Sequence, residues 1–259
     1  MTALLETRDL ARNFGAVTAA ADINVKIDAG EIVGIIGSNG AGKTTFINMV
    51  TGYLAPSSGE ILFQGKSILG KQPRQVMRAG MCRSFQVAQL FPELSVNENI
   101  LIALSMAENS RLSFFRPLKT PDMEEKTKSV LAEYDISEYG EESVMTLPQG
   151  VRKLLDIAMA LLSGPKVLLL DEPTSGVAIE DKFDLMDTVM RAVKKSGAAI
   201  LFVEHDMDVI ARYSTRLLAF YDGRVLADGP TSKVIRDEKV RKLVIGNHLD
   251  LDKLEAANA

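Results

Sequence analysis

The chain has 259 residues, of which 46% are hydrophobic and 25% are charged, and its formal net charge is −4; this balance suits an α/β protein and gives no support for nucleic-acid binding. The single cysteine, Cys82, excludes an internal disulfide, so we expect a reducing compartment in which Cys82 is a small packing residue. Because no apolar run reaches about 18 residues and no charged-then-apolar leader opens the chain, we expect neither a membrane span nor an export signal, and any membrane role would depend on partners.

The first part of the chain alternates apolar and polar residues, which predicts half-exposed antiparallel strands. We expect one strand over residues 4–10 and a second through residues 23–27, which ends at the turn 28–30. Phe14 lies between them, and the local pattern leaves open whether its ring belongs to the core.

Residues 31–51 then read as a strand, a glycine turn and a helix in one run. The apolar residues 32–36 suit a buried parallel strand, and residues 37–44, GSNGAGKT, match the phosphate-loop pattern G-x-x-x-x-G-K-[ST] at every fixed position. We expect Gly37, Gly40 and Gly42 to let backbone N–H groups wrap a triphosphate, since glycine reaches positive φ and has no Cβ. Lys43 can neutralise the β- and γ-phosphates, and Thr44 can place its hydroxyl on Mg²⁺. The predicted nucleotide contacts in this loop are Ser38, Asn39, Gly40, Ala41, Gly42, Lys43, Thr44 and Thr45.

After a short strand at residues 60–63, residues 87–146 change to helical periodicity. Thr120 supplies a cap and Pro121 a first-turn proline for a charged helix over residues 122–134, and residues 110–119 read as a loop. The apolar spacing over residues 151–162 predicts a helix with one apolar face.

Strands and helices alternate again in the last third of the chain, which favours a parallel sheet. We expect strands at 167–170, 199–203, 217–221 and 224–227, a helix at 179–195, and a tail that is helical from about residue 236 and then polar.

Two carboxylates, Asp171 and Glu172, directly follow the strand at 167–170. Groups just past the C-terminal ends of parallel strands collect beside the phosphate loop, so Asp171 can hold Mg²⁺ through its water shell and Glu172 can face the attacking water. The alternative for Asp171 and Glu172 is an acidic turn before Pro173, which the presence of the phosphate loop disfavours.

His205 follows the strand at 199–203 and is a candidate γ-phosphate contact at the same edge. Gln86 precedes the helical segment and is a candidate metal and water ligand that reports the phosphate state.

The order of these motifs resembles that of an ABC-type ATPase over nearly the whole chain. VLLLDEPTSG at 167–176 is part of that order, and the motifs NGAGKTT at 39–45, SFQ at 84–86, LFPELSV at 90–96 and EHDM at 204–207 most resemble the ATPase subunit of branched-chain amino acid uptake systems. The resemblance implies a P-loop NTPase core with a parallel sheet, an N-terminal antiparallel β-subdomain and an inserted α-helical subdomain. We therefore expect one domain over 1–259, with the core and β-subdomain in 1–86 and 163–235, the helical subdomain in 87–162 and a tail in 236–259.

The resemblance also implies roles for single residues and for partners. Phe14 would stack on adenine, Gln86 would link the two lobes, and Glu172 would be the catalytic base of ATP hydrolysis. Two ATPase subunits would form a head-to-tail dimer, in which each ATP lies between the phosphate loop of one subunit and the glycine motif of the other. The helical lobe would dock on a permease through a groove around residues 87–92.

The chain departs from the family pattern in elements that face the neighbouring subunit. Where Leu-Ser-Gly-Gly-Gln is expected, residues 147–151 read LPQGV, so a hydroxyl is missing and Pro148 lacks an N–H. Leu154 stands where an arginine is usual, and Val177 and Ala178 replace Leu-Asp or Leu-Asn. These losses predict a heterodimer with a second, related ATPase that has an intact motif. The alternative is that backbone N–H groups at the start of the 151–162 helix replace the hydroxyl and both sites stay active.

The function expected from the resemblance is to energise an importer of branched-chain or other amino acids from the cytoplasmic face of the inner membrane. Its partners would be two permease subunits, with a periplasmic or extracellular solute-binding protein acting indirectly. Two alternatives remain: the ATPase of a lipopolysaccharide exporter, and a non-transport regulatory module, against which the intact Glu172 and His205 argue.

Overall fold

The computed structural model describes residues 3–84, 90–107 and 119–246. Ten strands lie in these ranges: β1 Leu5–Phe14, β2 Val17–Ile27, β3 Ile32–Gly37, β4 Ser58–Phe63, β5 Lys66–Ser67, β6 Met81–Ser84, β7 Val167–Asp171, β8 Ala199–Val203, β9 Arg216–Tyr221 and β10 Arg224–Pro230. The α-helices described there are α1 Lys43–Val50, α2 Pro73–Ala79, α3 Val96–Ala107, α4 Pro121–Glu133, α5 Gln149–Leu162, α6 Lys182–Ser196, α7 Met207–Tyr213, α8 Thr231–Val234 and α9 Glu238–Val240. Short 3₁₀ turns cover Ser137–Tyr139, Val144–Thr146 and Ile179–Asp181, and a π-helical turn covers Arg241–Ile245.

The larger sheet has the strand order β10-β9-β3-β8-β7-β6. All neighbours in it are parallel except the hairpin of β9 and β10, as the alternating pattern predicts. Successive residues of β7 enter opposite cores: Leu168 and Leu170 pack with α5 and α6, whereas Leu169 packs with α1 and the N-terminal strands. Because both faces are covered, β7 and β8 are nearly continuous apolar runs. The C-terminal ends of β3, β7 and β8 therefore meet at one edge.

The smaller sheet, in the order β2-β1-β4-β5, is antiparallel throughout and confirms the prediction for the N-terminal part. Its first two strands are longer than predicted. Register shifts interrupt the pairing of β1 with β2, and Asp9 and Asp22 have φ of 45° and 51°. Such irregularities break the apolar alternation without ending the strand, so the sequence pattern is lost where the pairing continues.

The helical segment confirms the predicted cap of α4. The hydroxyl of Thr120 accepts a hydrogen bond from the backbone N–H of Met123 at 3.3 Å, and Pro121 occupies the first turn. The predicted loop at 110–119 lies outside the described residues except for Lys119. Cys82 is buried, with its Sγ 3.0 Å from Oγ of Ser163, which confirms its packing role.

Helix α5 differs from its prediction in two ways. It begins at Gln149, two residues before the expected start, with Pro148 at the N-cap. Its apolar face is only partly buried, while Lys153 and Asp156 lie inside the protein. The expected helix at 179–195 starts as the 3₁₀ turn and continues as α6, which ends at Ser196 and is capped by Gly197 with φ of 71°. In the part of the chain that the structure describes, no helix is long and apolar enough to cross a bilayer.

Candidate functional site

A cavity of about 280 Å³ lies at the edge where β3, β7 and β8 end. Its walls bring together loop residues and strand-end residues that the sequence predicted separately. The lining residues are Ala19, Asn39, Gly40, Ala41, Gly42, Lys43, Thr44, Thr45, Asp171, Glu172, Val203 and His205. Ser38 is not among them, although its carbonyl group binds the side chain of Lys43.

The three glycines of the phosphate loop are needed for different reasons. Gly40 and Gly42 have φ of 81° and 99°, as predicted. The same expectation is wrong for Gly37, which is not among the residues with positive φ. A Cβ on Gly37 would lie 2.7 Å from the carbonyl oxygen of Phe220 on the neighbouring strand β9, so close strand packing requires glycine there.

Lys43 opens α1 and its side chain is buried against the loop. Its Nζ donates hydrogen bonds to the carbonyl oxygens of Gly37 at 2.5 Å and Ser38 at 3.1 Å. Burial lowers the pKa of Lys43, and the negative charges of Glu172 and Asp171 offset part of that effect. The ammonium group is therefore fixed at the mouth of the loop, facing the two carboxylates.

Asp171, at the end of β7, forms a buried ion pair with Arg83 on β6. A second nitrogen of that guanidinium, Nη1, donates to Oδ1 of Asn48 on α1 at 2.6 Å. Sequence reasoning missed this arrangement because Asp171 was considered only as a metal ligand. The one available signal was an arginine in a strand that is otherwise mostly apolar.

Glu172 and His205, predicted at the same sheet edge, are in contact. Oε1 of Glu172 lies 3.2 Å from Nε2 of His205. Glu172 has φ of 51°, a conformation that costs a non-glycine residue on the order of 1–3 kcal/mol. A backbone hydrogen bond offsets part of this conformational cost, since the N–H of Glu172 donates to the carbonyl oxygen of Val203 at 3.0 Å.

Two further buried groups hold this edge together, and sequence reasoning missed both. Nζ of Lys153 donates to the carbonyl oxygen of Glu172 at 3.1 Å. Oε1 of Glu204 accepts from the backbone N–H and the hydroxyl of Thr174 at 2.8 and 2.7 Å. Burial raises the pKa of Glu204 although these hydrogen bonds oppose the rise. The turn that follows Glu172 is thus tied to the end of β8.

Two predicted residues, Phe14 and Gln86, are not joined to this site by the described contacts. Phe14 is 49% exposed, which contradicts a core role, and the guanidinium of Arg12 lies over its ring at 4.6 Å. It is not among the described residues that line the cavity, so adenine stacking stays a prediction. Gln86 lies outside the described residues.

Comparison with known proteins agrees with this geometry. A family model described as ABC transporter matches residues 20–175. The chain is 32% identical to a probable branched-chain amino acid transport ATP-binding protein, LivG, of Methanocaldococcus jannaschii, over 94% of this chain and 97% of that protein. It is 31% identical to the high-affinity branched-chain amino acid transport ATP-binding protein BraF of Pseudomonas aeruginosa, over 94% and 98% of the two chains.

Solved structures give the same result for the fold. The ADP conformation of an ATP-binding cassette of an ABC transporter superposes with a TM-score of 0.81 at 31% identity, over 94% of this chain and 98% of that one. A nucleotide-free ATP-binding cassette gives 0.80 at 29% identity, over 93% and 98%. The predicted fold class is confirmed. The chain belongs to the ABC transporter family, as an ATP-binding subunit whose ATP hydrolysis is coupled to transport.

Proposed function

We propose that the cavity binds ATP with Mg²⁺ and that Glu172 is the catalytic base. The observation that carries this proposal is the contact between Glu172 and His205 beside Lys43. The backbone of residues 39–45 and the Lys43 ammonium would bind the phosphates. A carboxylate that faces the γ-phosphate would orient the attacking water and take its proton, while His205 holds a γ-phosphate oxygen.

Thr44 and Asp171 line the same cavity, and a hydroxyl with a carboxylate is the kind of oxygen pair that Mg²⁺ prefers. The described residues contain no cluster of three or more His, Cys, Asp or Glu side chains that could hold a metal alone. Mg²⁺ would therefore be held jointly with phosphate oxygens and water, where it neutralises phosphate charge. Gln86 remains a proposed further ligand.

The experiment for these roles compares two variants of this chain in the purified, assembled transporter complex. Glu172→Gln should retain affinity for a fluorescent ATP analogue and slow hydrolysis by about 10²-fold or more, the size of general-base effects. Lys43→Ala should instead weaken the affinity. Wild-type turnover in Glu172→Gln would place the base elsewhere.

We further propose that the subunit energises uptake of branched-chain or related amino acids from the cytoplasmic face of the cell membrane. The relatives' names, which describe branched-chain amino acid transport ATP-binding proteins, support this solute class. The partners would be two permease subunits and, indirectly, a solute-binding protein. Deleting the gene should abolish uptake of labelled leucine, and restoring it with Glu172→Gln should not rescue uptake. A defect in lipopolysaccharide export with normal leucine uptake would favour the exporter alternative.

The proposed permease contact lies beside the strand that leads to Gln86. Residues 87–89 are outside the described ranges, but Phe91 is exposed and its backbone is held by the buried Asn99. A cavity of about 450 Å³ borders β6 at Met81 and Arg83, and the exposed side chains of Tyr53 and Met77 also line it. We propose that a permease segment with apolar side chains contacts this cavity of the core and also Phe91, which belongs to a helical lobe that spans residues 87–162. Phe91→Asp should abolish co-purification with the permease and leave ATP binding intact.

The glycine motif supports a heterodimer as the further proposal. Pro148 caps α5 without a side-chain hydrogen bond to the helix start. A symmetric dimer would set this motif against both γ-phosphates. We propose instead one productive site, built from this chain's Lys43 and Glu172 and a partner ATPase's intact motif. Mutating the base in each subunit separately should give unequal losses; equal losses would mean that the backbone N–H groups at the start of α5 suffice.

A further inference from the structure

Lys153 lies on the second turn of α5 and is 1% exposed. A buried ammonium group is costly unless charges or hydrogen bonds compensate it. Its neighbours in sequence, Leu154 and Leu155, read as part of an apolar face, so the local sequence does not explain a lysine here. The groups that surround Lys153 in the fold explain it.

Nζ of Lys153 donates a hydrogen bond to the carbonyl oxygen of Glu172 at 3.1 Å. Four carboxylates lie close enough to raise its pKa against the larger lowering effect of burial: Asp156, Glu204, Glu172 and Asp171. The side chain therefore reaches from α5 under the turn that carries the proposed base, in a pocket of negative charge.

That turn needs support because Glu172 has φ of 51°. Besides Lys153, its carbonyl oxygen accepts the backbone N–H of Ser175 at 3.1 Å. A peptide group fixed on both sides sets the direction in which the Glu172 side chain leaves the backbone. Its carboxylate then meets His205 in the cavity.

One turn further along α5, Asp156 accepts a hydrogen bond from the hydroxyl of Ser84, the last residue of β6. Ser84 stands two residues before Gln86. The buried polar face of α5 is therefore bonded both to the Glu172 turn and to the strand that leads to Gln86. The same helix begins within the glycine motif, at Gln149.

We propose that Lys153 is a positioning residue for Glu172, whose carbonyl group it holds so that the carboxylate faces the γ-phosphate. A displacement of α5 moves this ammonium and withdraws the support of the base. Hydrolysis thereby depends on where α5 lies, and so on what contacts the glycine motif. This inference rests on the assignment of Glu172 as the base.

The test uses single-turnover hydrolysis of Mg·ATP by an excess of the purified, assembled complex that contains the full chain and its proposed partner ATPase. Lys153→Met replaces the ammonium by an apolar group of similar length and should slow hydrolysis by about 10–100-fold, the cost of a small misplacement of a catalytic group. The affinity for a fluorescent ATP analogue should stay within about twofold, since Lys153 does not line the cavity. Lys153→Arg keeps a charged donor and should recover part of the rate. Leu155→Met, a buried change on the same helix, should leave the rate unchanged.

A double-mutant cycle separates positioning from a general structural effect. In the Glu172→Gln background, Lys153→Met should cause little further loss, because the group that it positions is already gone. If Lys153→Met slows that background by its full factor, Lys153 does not act through Glu172 and the proposal is wrong. If Glu172→Gln itself is not slow, the base assignment fails and the Lys153 proposal fails with it.

Folding is monitored by thermal melting of each variant. If Lys153→Met does not fold, Lys153→Gln takes its place in the cycle, since its neutral, shorter side chain also loses the bond to Glu172. A wild-type rate in a folded Lys153→Met or Lys153→Gln protein would overturn the proposal directly.

Discussion

Nη2 of Arg83 lies 2.6 Å from Oδ2 of Asp171, and the two side chains are only 8% and 12% exposed. The pair joins strands β6 and β7, and the same arginine reaches Asn48 on α1. The carboxylate that we propose for Mg²⁺ binding is thus held in place by a cation of its own, and the same side chain lines the cavity.

Removing one partner of this ion pair should lower the free energy of unfolding more than removing both partners. Arg83→Met leaves Asp171 buried without its cation, and such losses typically cost about 3–5 kcal/mol of unfolding free energy. Urea unfolding of Arg83→Met, Asp171→Asn and the double variant measures the effect. We expect the double variant to be more stable than Arg83→Met. Additive losses would mean that the two side chains contribute independently.

Alanine at Gly40 and at Gly42 should destabilise the chain unequally. Both residues have positive φ, which costs alanine about 1–2 kcal/mol. A Cβ on Gly40 would meet nothing within 4 Å, whereas one on Gly42 would lie 2.8 Å from the carbonyl oxygen of Ala19. Urea unfolding without nucleotide should therefore show the larger loss for Gly42→Ala. Equal losses of unfolding free energy in the two variants would mean that the close approach of Ala19 does not destabilise Gly42→Ala.

Phe14 should contribute to nucleotide affinity rather than to the core. If its exposed ring stacks on adenine, Phe14→Ala should lose about 1–3 kcal/mol of binding free energy, by analogy with base stacking on aromatic side chains, and Phe14→Tyr should be nearly neutral. Val17, its exposed pairing partner across the hairpin, provides the control, since Val17→Ala should bind ATP normally. A fall in melting temperature without a change in affinity would contradict the stacking role.

Asp206 should stabilise the fold in a pH-dependent way. Burial alone would raise the pKa of Asp206. The hydrogen bond from Lys182 at 2.9 Å, the positive charge of Lys182 and the backbone N–H groups of Val209 and Asp208 together lower it. A carboxylate with a lowered folded-state pKa stabilises the fold above its unfolded pKa, near 3.9 for aspartate, and this contribution disappears as the pH falls through the folded value.

Asp206→Asn should therefore be less stable than the wild type at pH 6, and the difference should shrink below about pH 4. Urea unfolding at several pH values measures this. Asp222→Asn is the control, because Asp222 is exposed in a turn where asparagine tolerates its φ of 48°. A difference that is constant from pH 6 to pH 3 would exclude the titration of Asp206 as its cause.

Sequence reasoning succeeded where the cause of a structure is local. The phosphate loop and the Thr120 cap each depend on residues a few positions apart, so a pattern can reveal them. Lys153 and Glu172 are 19 positions apart, and Arg83 and Asp171 are 88 apart. Those partners meet only after the parallel strands and α5 have assembled, and a charged residue in an apolar pattern otherwise indicates a surface position.

The close approach of Ala19 to Gly42, which leaves no room for a Cβ, has a consequence for the architecture of the nucleotide site. Strand β2 supplies the wall behind the phosphate loop, and the turn at Gly223 binds both, through the N–H of Ala21 at 2.8 Å and the carbonyl oxygen of Ala41 at 3.1 Å. The N-terminal sheet is therefore a necessary part of the ATP-binding core, and the core does not have a complete site without it. A fragment that begins at β3 would keep every residue of the phosphate loop motif and lose the surface that gives the loop its shape.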